Sequence, residues 1–183
     1  PDDKCAGTLR DIQEDNDMNK LGFIGMGNMA KAIAAGIIKS GKISGADIYA
    51  YAPHQDKLRK NAEAIGFTAC GSMEELLGAA DTVVMACKPY QIEAVLEENR
   101  GALAGKALIS IAAGWDYARY EPLVDERTRV QFIMPNTPAM VGEGVMLFEE
   151  TNSLKEEERQ ELMDMFSALG LVEEIPTHLM GIA

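Results

Sequence analysis

The sequence predicts an α/β fold, a doubly wound, mostly parallel sheet with helices on both faces, and three observations carry that expectation. Short apolar runs alternate with helical stretches along most of the 183 residues, the pattern of repeated strand-helix units. The run D-T-V-V-M-A-C, Asp81 to Cys87, reads as a strand buried on both of its faces. The stretch Leu21 to Gly41 sets a strand, a glycine turn and a helix end to end, and the rest of the chain is organised around it. Its turn, Gly25-Met26-Gly27-Asn28-Met29-Ala30, fits the pattern G-x-G-x-x-G/A, which makes the expected fold Rossmann-type.

Each small residue of that turn has a mechanical task. Gly25 takes the backbone angles of a tight turn, Gly27 keeps side-chain atoms away from an approaching pyrophosphate, and Ala30 lets the helix lie close on the strand. The helix that follows aims unpaired N–H groups and the positive end of its dipole at the same point. Met29, Ile33, Gly36 or Ile37 and Ser40 fall at helical spacing, and Gly41 is a stop. A glycine turn alone also fits a bend that merely needs small residues. The strand before it and the helix after it favour a dinucleotide cradle.

Composition narrows the function classes. Hydrophobic residues make up 47% of the chain, enough for one main core, and the net charge of -12 argues against nucleic acid or an anionic membrane as partner. Cys5, Cys70 and Cys87 are odd in number and irregularly spaced, and with His54 and His178 they form no zinc pattern, so no metal is expected. They read as reduced thiols of a cytoplasmic protein. The apolar runs are too short to span a bilayer. Residues 1–17 hold six acids against Lys4 and Arg10 and read as an acidic extension, either a leader before a natural start at Met18 or an interaction arm. Residues 18–175 are expected as the main domain and 176–183 as the start of a linker.

The elements follow in order. Ala46 to Tyr51 alternates as a second strand, and its end is where an Asp or Glu usually meets the ribose 2'-hydroxyl of NAD. Here it runs into Ala52-Pro53-His54-Gln55, with Asp47 too early and Asp56 already on the next helix. No carboxylate repels a 2'-phosphate, and His54, Lys57 or Arg59 can approach one, which favours NADP with NAD as the alternative. The other reading of these basic residues is an ordinary solvated helix. A helix from Gln55 to Ile65, a short strand at Phe67 and Thr68, a helix from Met73 to Gly78 and the strand Asp81 to Cys87 come next. Lys88-Pro89 then stands at a strand's carboxyl end, facing either a ligand or, equally well, only the next helix.

That helix is expected over Tyr90 to Asn99 and the next strand over Lys106 to Ile111, with Ala112-Ala113-Gly114 at its tip. Small residues there let a ligand near the backbone, although Gly114 alone fits a turn. A helix around Tyr117 to Val124 and a strand from Arg129 to Met134 complete the alternation. Met134-Pro135-Asn136-Thr137-Pro138 interrupts it, either as a strand stop or as a stiff wall presenting Asn136 to a nicotinamide. A strand from Gly144 to Phe148, an amphipathic helix from Leu154 to Leu169 and a strand from Leu171 to Ile175 close the domain.

With these residues in view the chain resembles pyrroline-5-carboxylate reductase. The carrying segments are F-I-G-M-G-N-M-A from Phe23 to Ala30, A-C-K-P from Ala86 to Pro89, S-I-A-A-G from Ser110 to Gly114, and M-P-N-T-P-A-M-V-G-E-G from Met134 to Gly144. The resemblance implies reduction of a cyclic imine, 1-pyrroline-5-carboxylate, to L-proline by hydride from NADPH or NADH. It implies a pyrophosphate site from Ile24 through Gly25, Met26, Gly27 and Asn28 to Met29, and contacts to the adenosine ribose near Ala52, Pro53 and His54. It further implies a nicotinamide ribose site at Ala86, Cys87, Lys88 and Pro89, and a nicotinamide wall of Ala112, Ala113 and Gly114 with Asn136.

Lys88 and Asn136 are the candidates for substrate or nicotinamide contact, and no side chain stands out as a catalytic acid or base. An imine can take its proton from water, and the hydride comes from the cofactor, so the protein mainly positions and shields. No paired carboxylates, Cys-His or Ser-His-Asp set suggests hydrolysis. Two departures from the family bear on the cofactor, since Ala52 stands where Ser is frequent and Met73 where Asn is frequent. The resemblance also implies a helical domain after Ala183, with an S-G-x-G-P-A motif that clasps a second subunit into a homo-oligomer and binds the substrate carboxylate. The alternatives are a non-catalytic NAD(P)-sensing module and another imine or beta-hydroxyacid reductase of the same fold.

Overall fold

A computed structural model describes residues 20–181. The expected extension 1–17 lies outside the described residues, as do 18, 19, 182 and 183. Eight strands form one sheet: β1 (Leu21–Ile24), β2 (Ile48–Tyr51), β3 (Thr68–Ala69), β4 (Thr82–Met85), β5 (Ala107–Ser110), β6 (Arg129–Pro135), β7 (Gly144–Glu149) and β8 (Gly170–Ile175). Their order is β3-β2-β1-β4-β5-β6-β7-β8, and every neighbouring pair is parallel except β6 with β7. Among the described residues the helices are α1 (Asn28–Ser40), α2 (Gln55–Ile65), α3 (Met73–Ala79), α4 (Ile92–Leu103), α5 (Tyr117–Tyr120) and α6 (Glu156–Phe166). The sheet is therefore the doubly wound, Rossmann-type arrangement expected from the alternation.

Side-chain alternation along each strand builds two cores. Leu21, Phe23, Ile48 and Val84 face one side, where Ile33 and Ile37 of α1, Leu58 of α2 and Leu162 and Phe166 of α6 meet them. Ile24, Val83, Met85 and Leu108 face the other, against Leu76 of α3, Leu96 of α4 and Tyr120 of α5. All four residues of β1, β4 and β5 are buried, as a strand with helices on both faces requires.

Several boundaries differ from the sequence reading, each for a local reason. The strand read from Ala46 starts at Ile48, because Gly45–Asp47 forms a 3-10 turn whose Ala46 N–H donates to the Ser44 hydroxyl at 3.3 Å. Pro89–Gln91 is likewise a 3-10 turn, so α4 begins two residues late and continues to Leu103. Pro122 ends α5 after one turn, and Glu121–Leu123 continues as a 3-10 helix. In the segment read as a linker, Thr177–Leu179 forms a 3-10 turn and Met180 is buried. Among the described residues no helix is long and apolar enough to cross a membrane.

Besides the apolar contacts of Leu162 and Phe166, a buried ion pair ties α6 to β6. Arg129 Nη2 lies 2.6 Å from Glu158 Oε1 and its Nε lies 2.8 Å from Oε2, while Lys155 N–H donates to the same carboxylate at 3.0 Å. Glu158 is only 4% exposed. Burial pushes its carboxyl up, but the hydrogen bonds and charge of Arg129 win and hold it below the usual carboxylate range. Glu158→Ala leaves Arg129 without its partner and is expected to lower the unfolding free energy by about 3 kcal/mol at pH 7. Because the folded-state carboxyl is depressed, this stability is complete above the unfolded carboxylate range and is lost as pH falls through the folded value. Urea unfolding of wild type and E158A should therefore differ most at pH 7, with the difference shrinking as pH falls below the ordinary carboxylate range.

Candidate functional site

The tips of the parallel strands end level with one another. Ile24 pairs with Tyr51 of β2 on one side and Met85 of β4 on the other, Met85 pairs with Ser110, and Ser110 with Phe132. The strand order reverses between β1 and β4, so the crevice beyond these tips lies at the topological switch point. A cleft of about 580 Å³ opens there, lined by residues that follow the tips of β1, β2, β4 and β5.

Gly25 and Gly27 are glycines for different reasons. Gly25 has φ +94°, and a Cβ there would sit 2.8 Å from Ala86 O, so the fold itself demands glycine. Gly27 is extended, with φ -76°, and a Cβ on it would meet no atom within 4 Å. Nothing in the packing among the described residues requires glycine at 27. The open side of its backbone faces the crevice, where bulk would obstruct an approaching ligand. Gly27 is also the N-cap of α1, with no side chain capping the helix and no acid in its first turn. The first N–H groups of α1 are thus left for an anion.

At the β2 end the wall comprises Ala52, Pro53 and His54 with Lys57, Leu58 and Asn61 of α2, and Met73, which packs with the core on the other face of the sheet from Leu58, completes it. At the β4 and β5 end it comprises Ala86, Cys87, Lys88 and Pro89, then Ile111, Ala112 and Ala113. The Lys88 turn is stiff, because its N–H donates to Gln91 Oε1 at 3.1 Å and its carbonyl accepts from Gln91 N at 2.9 Å. Beneath Ala112, the buried Ser110 hydroxyl accepts from Ala112 N at 3.4 Å and donates to Trp115 O at 3.2 Å. Burial pushes the Cys87 thiol up, away from the thiolate form that a nucleophile needs.

The charge of the lining runs against that of the chain. Among the described residues Lys57, Lys88 and His54 line the cleft and no Asp or Glu does, although the chain carries a net charge of -12. Among the described residues no group of three or more metal-ligating side chains gathers.

Of the residues expected from the sequence, Ile24 to Met29, Ala52 to His54, Ala86 to Pro89, Ala112 and Ala113 all line this cleft. Gly114 and Asn136 stand outside the lining. Gly114 takes φ +74° in a turn whose carbonyl accepts from Arg119 Nη1, and Asn136 Oδ1 accepts from Val145 N at 2.9 Å, bracing the β6–β7 connection. The reading also missed Tyr51, Leu58, Asn61, Gln91, Val95 and Ile111. The spacing of His54, Lys57, Leu58 and Asn61 is one helical stripe, a signal present in the sequence once α2 is known to flank the crevice. For Tyr51, the last residue of β2, and Ile111, the first beyond β5, only the alignment of the strand tips reveals their place.

A parallel sheet with its crevice at the switch point, a glycine turn and an uncapped helix mouth define a Rossmann-type nucleotide-binding domain. The chain belongs to the family described as NADP oxidoreductase coenzyme F420-dependent, whose model matches residues 20–114, just over half of its length. It is 35% identical over 167 residues to the pyrroline-5-carboxylate reductase of Treponema pallidum, covering 89% of this chain and 63% of that protein. The pyrroline carboxylate reductase of Plasmodium falciparum, solved with NADP bound, superposes with a TM-score of 0.79 at 30% identity, covering 90% of this chain and 61% of that one. The pyrroline-5-carboxylate reductase of Coxiella burnetii gives a TM-score of 0.80 at 29% identity over 87% of this chain and 59% of its own. The chain thus spans 59% to 63% of the length of these relatives.

The contrast between the two glycines is measurable. Gly25→Ala forces a side chain into the left-handed region and against Ala86, and is expected to cost roughly 2 kcal/mol or more. Gly27→Asp supplies the side-chain cap that α1 lacks, and its stability should match or exceed wild type by a few tenths of a kcal/mol at about pH 7. Thermal and urea unfolding of both variants test this. A Gly27→Asp variant as damaged as Gly25→Ala would show that packing, not ligand access, holds glycine at 27.

Proposed function

We propose that the crevice binds NADP(H) and that this chain is the cofactor-binding domain, residues 18–175, of a reductase converting 1-pyrroline-5-carboxylate to L-proline. The observation that carries the proposal is a cleft whose described lining holds basic residues and no carboxylate, and into which the N-terminus of the uncapped α1 opens, in an otherwise acidic chain. The relatives named for this reaction, which align with more than four fifths of the chain, support the substrate class.

In this reading the first N–H groups of α1 and the bare backbone from Gly25 to Met29 hold the pyrophosphate. Lys57 and His54 approach a 2'-phosphate at the β2 end, where no acid opposes it, and this supports NADP over NAD. When bound, the nicotinamide supplies the hydride. Ala112 and Ala113 form a wall without polar side chains that excludes water from one side of the ring's position. Lys88 stands at the strand tip beside it, able to attract an anionic substrate group, and Asn136 braces the neighbouring loop. Among the described residues Asp and Glu are absent from the lining, which is consistent with an imine protonated by water. The proposal extends to a cytoplasmic homo-oligomer assembled through residues beyond this segment. The free thiols Cys70 and Cys87 support a reducing compartment.

Titration calorimetry of the 183-residue chain should show NADPH binding more tightly than NADH. Gly27→Asp should abolish both, and Lys57→Glu should cut the preference for NADPH about tenfold, as expected for loss and reversal of a charge contact. The full-length protein should oxidise NADPH only when 1-pyrroline-5-carboxylate is added. Absence of heat with either nucleotide would refute the cofactor assignment, and NADPH oxidation with other imines alone would refute the substrate.

A further inference from the structure

Gln55, which the sequence presents as an ordinary first residue of α2, does something its position does not require. Its side chain turns back into the fold, where Nε2 donates to Ala52 O at 3.0 Å and to Cys70 O at 3.2 Å. Both amide hydrogens are used, and two carbonyl acceptors fix which end of the amide is nitrogen. The two carbonyls belong to different chain segments, one leaving β2 and the other leaving β3. The ladder between these strands is short: Tyr49 pairs with Thr68, Ala50 with Ala69, and Cys70 N–H donates to Ala50 O at 2.8 Å. Beyond that point Gln55 supplies the cross-link.

What it joins matters because both segments continue into the crevice. From Ala52 the chain runs into Pro53 and His54 on one part of the wall, and from Cys70 it runs through Gly71 and Ser72 to Met73 on another. The second segment is itself tied down, with Gly71 N–H donating to Glu75 Oε2 at 2.7 Å and the Ser72 hydroxyl accepting from Glu75 N at 3.1 Å. The gap at this end of the cleft is therefore set where the two segments part, at the Gln55 amide.

We infer that Gln55 is a positioning residue for the adenosine half of the dinucleotide, holding the walls of Pro53–His54 and Met73 at the separation that half requires. The inference rests on the reading of the crevice as an NADP(H) site, in which the end of β2 meets the adenosine ribose. The Gln55 amide bonds to Ala52 and Cys70, both at the β2–β3 end of the cleft, so its effect is confined to one half of the ligand. A general loosening of the fold would instead weaken both halves.

The test separates the halves in the 183-residue chain, using NADPH, 2',5'-ADP and reduced nicotinamide mononucleotide as probes with calorimetric readout. Gln55→Met keeps the shape and removes both donors. It should weaken NADPH and 2',5'-ADP about tenfold, the scale of one or two lost hydrogen bonds, and leave the mononucleotide unchanged. Gln55→Asn, whose shorter amide cannot span both carbonyls, should give the same split and serves if the methionine variant folds poorly. Equal affinity of wild type and variants for 2',5'-ADP, or an equal loss for the mononucleotide, would overturn the inference while leaving the site intact. A wild type that binds none of the three probes removes the reading of the crevice and the inference with it.

Discussion

The seat of the β1–α1 turn on the tip of β4 is the constraint from which the crevice follows. Ala86 N–H donates to Ile24 O at 2.9 Å and Gly25 N–H donates to Tyr51 O at 2.8 Å, so the end of β1 is clamped from both neighbours. The turn must leave the sheet at once, and only a residue without a Cβ can do so against the Ala86 carbonyl. This fixes where α1 begins, and with it the direction of the first N–H groups of the helix. The walls contributed by β2, β4 and β5 would form without that clamp, but they would enclose no convergent donors.

The same clamp explains how an acidic chain can present a site for an anion. Interactions between exposed charges are screened within about 8 to 10 Å at physiological salt. The abundant acids sit on exposed helix faces, as Glu97 and Glu98 do on α4 and Glu156 and Glu157 on α6. What an anion in the cleft meets at close range is backbone N–H, Lys57 and Lys88. Net charge therefore bears on partners with broad surfaces, and the local arrangement decides the small ligand.

Much of the fold was legible because its signals are local. The strand, turn and helix from Leu21 to Gly41 are specified by neighbours in sequence, and the buried run at Thr82 to Met85 can be little else. The cleft was legible as far as strand tips could be located, which is why Ala52, Ala86 and Ala112 were found and Asn61 and Val95 were not. Those two enter from helices, and their aim depends on how α2 and α4 pack. Gly114 and Asn136 illustrate the converse. Each has a residue type suited to a ligand, but the Arg119 guanidinium and the Val145 N–H engage them within the fold. Short 3-10 turns at Gly45, Pro89 and Glu121 displaced the boundaries because a single capping hydroxyl or proline decides them.

The last two strands bear on the crevice through a buried carboxylate. Glu149, at the end of β7, is fully buried; its Oε2 accepts from Tyr117 N–H at 2.8 Å, and its Oε1 has no partner among the described residues. Burial pushes its carboxyl up, against the opposing pull of the Tyr117 N–H and the Thr177 hydroxyl, and the nearby charge of Asp116 pushes the same way as burial. A group raised in the folded state favours folding most below its unfolded value and loses that contribution as pH rises, so stability at neutral pH is not what it contributes. Its visible contribution is geometric, since it accepts the first N–H of α5 and so ties the segment that begins with Ala112 and Ala113 to β7. An apolar side chain could fill the same volume, but it would leave that half-buried N–H without its acceptor and the end of the crevice wall without its anchor.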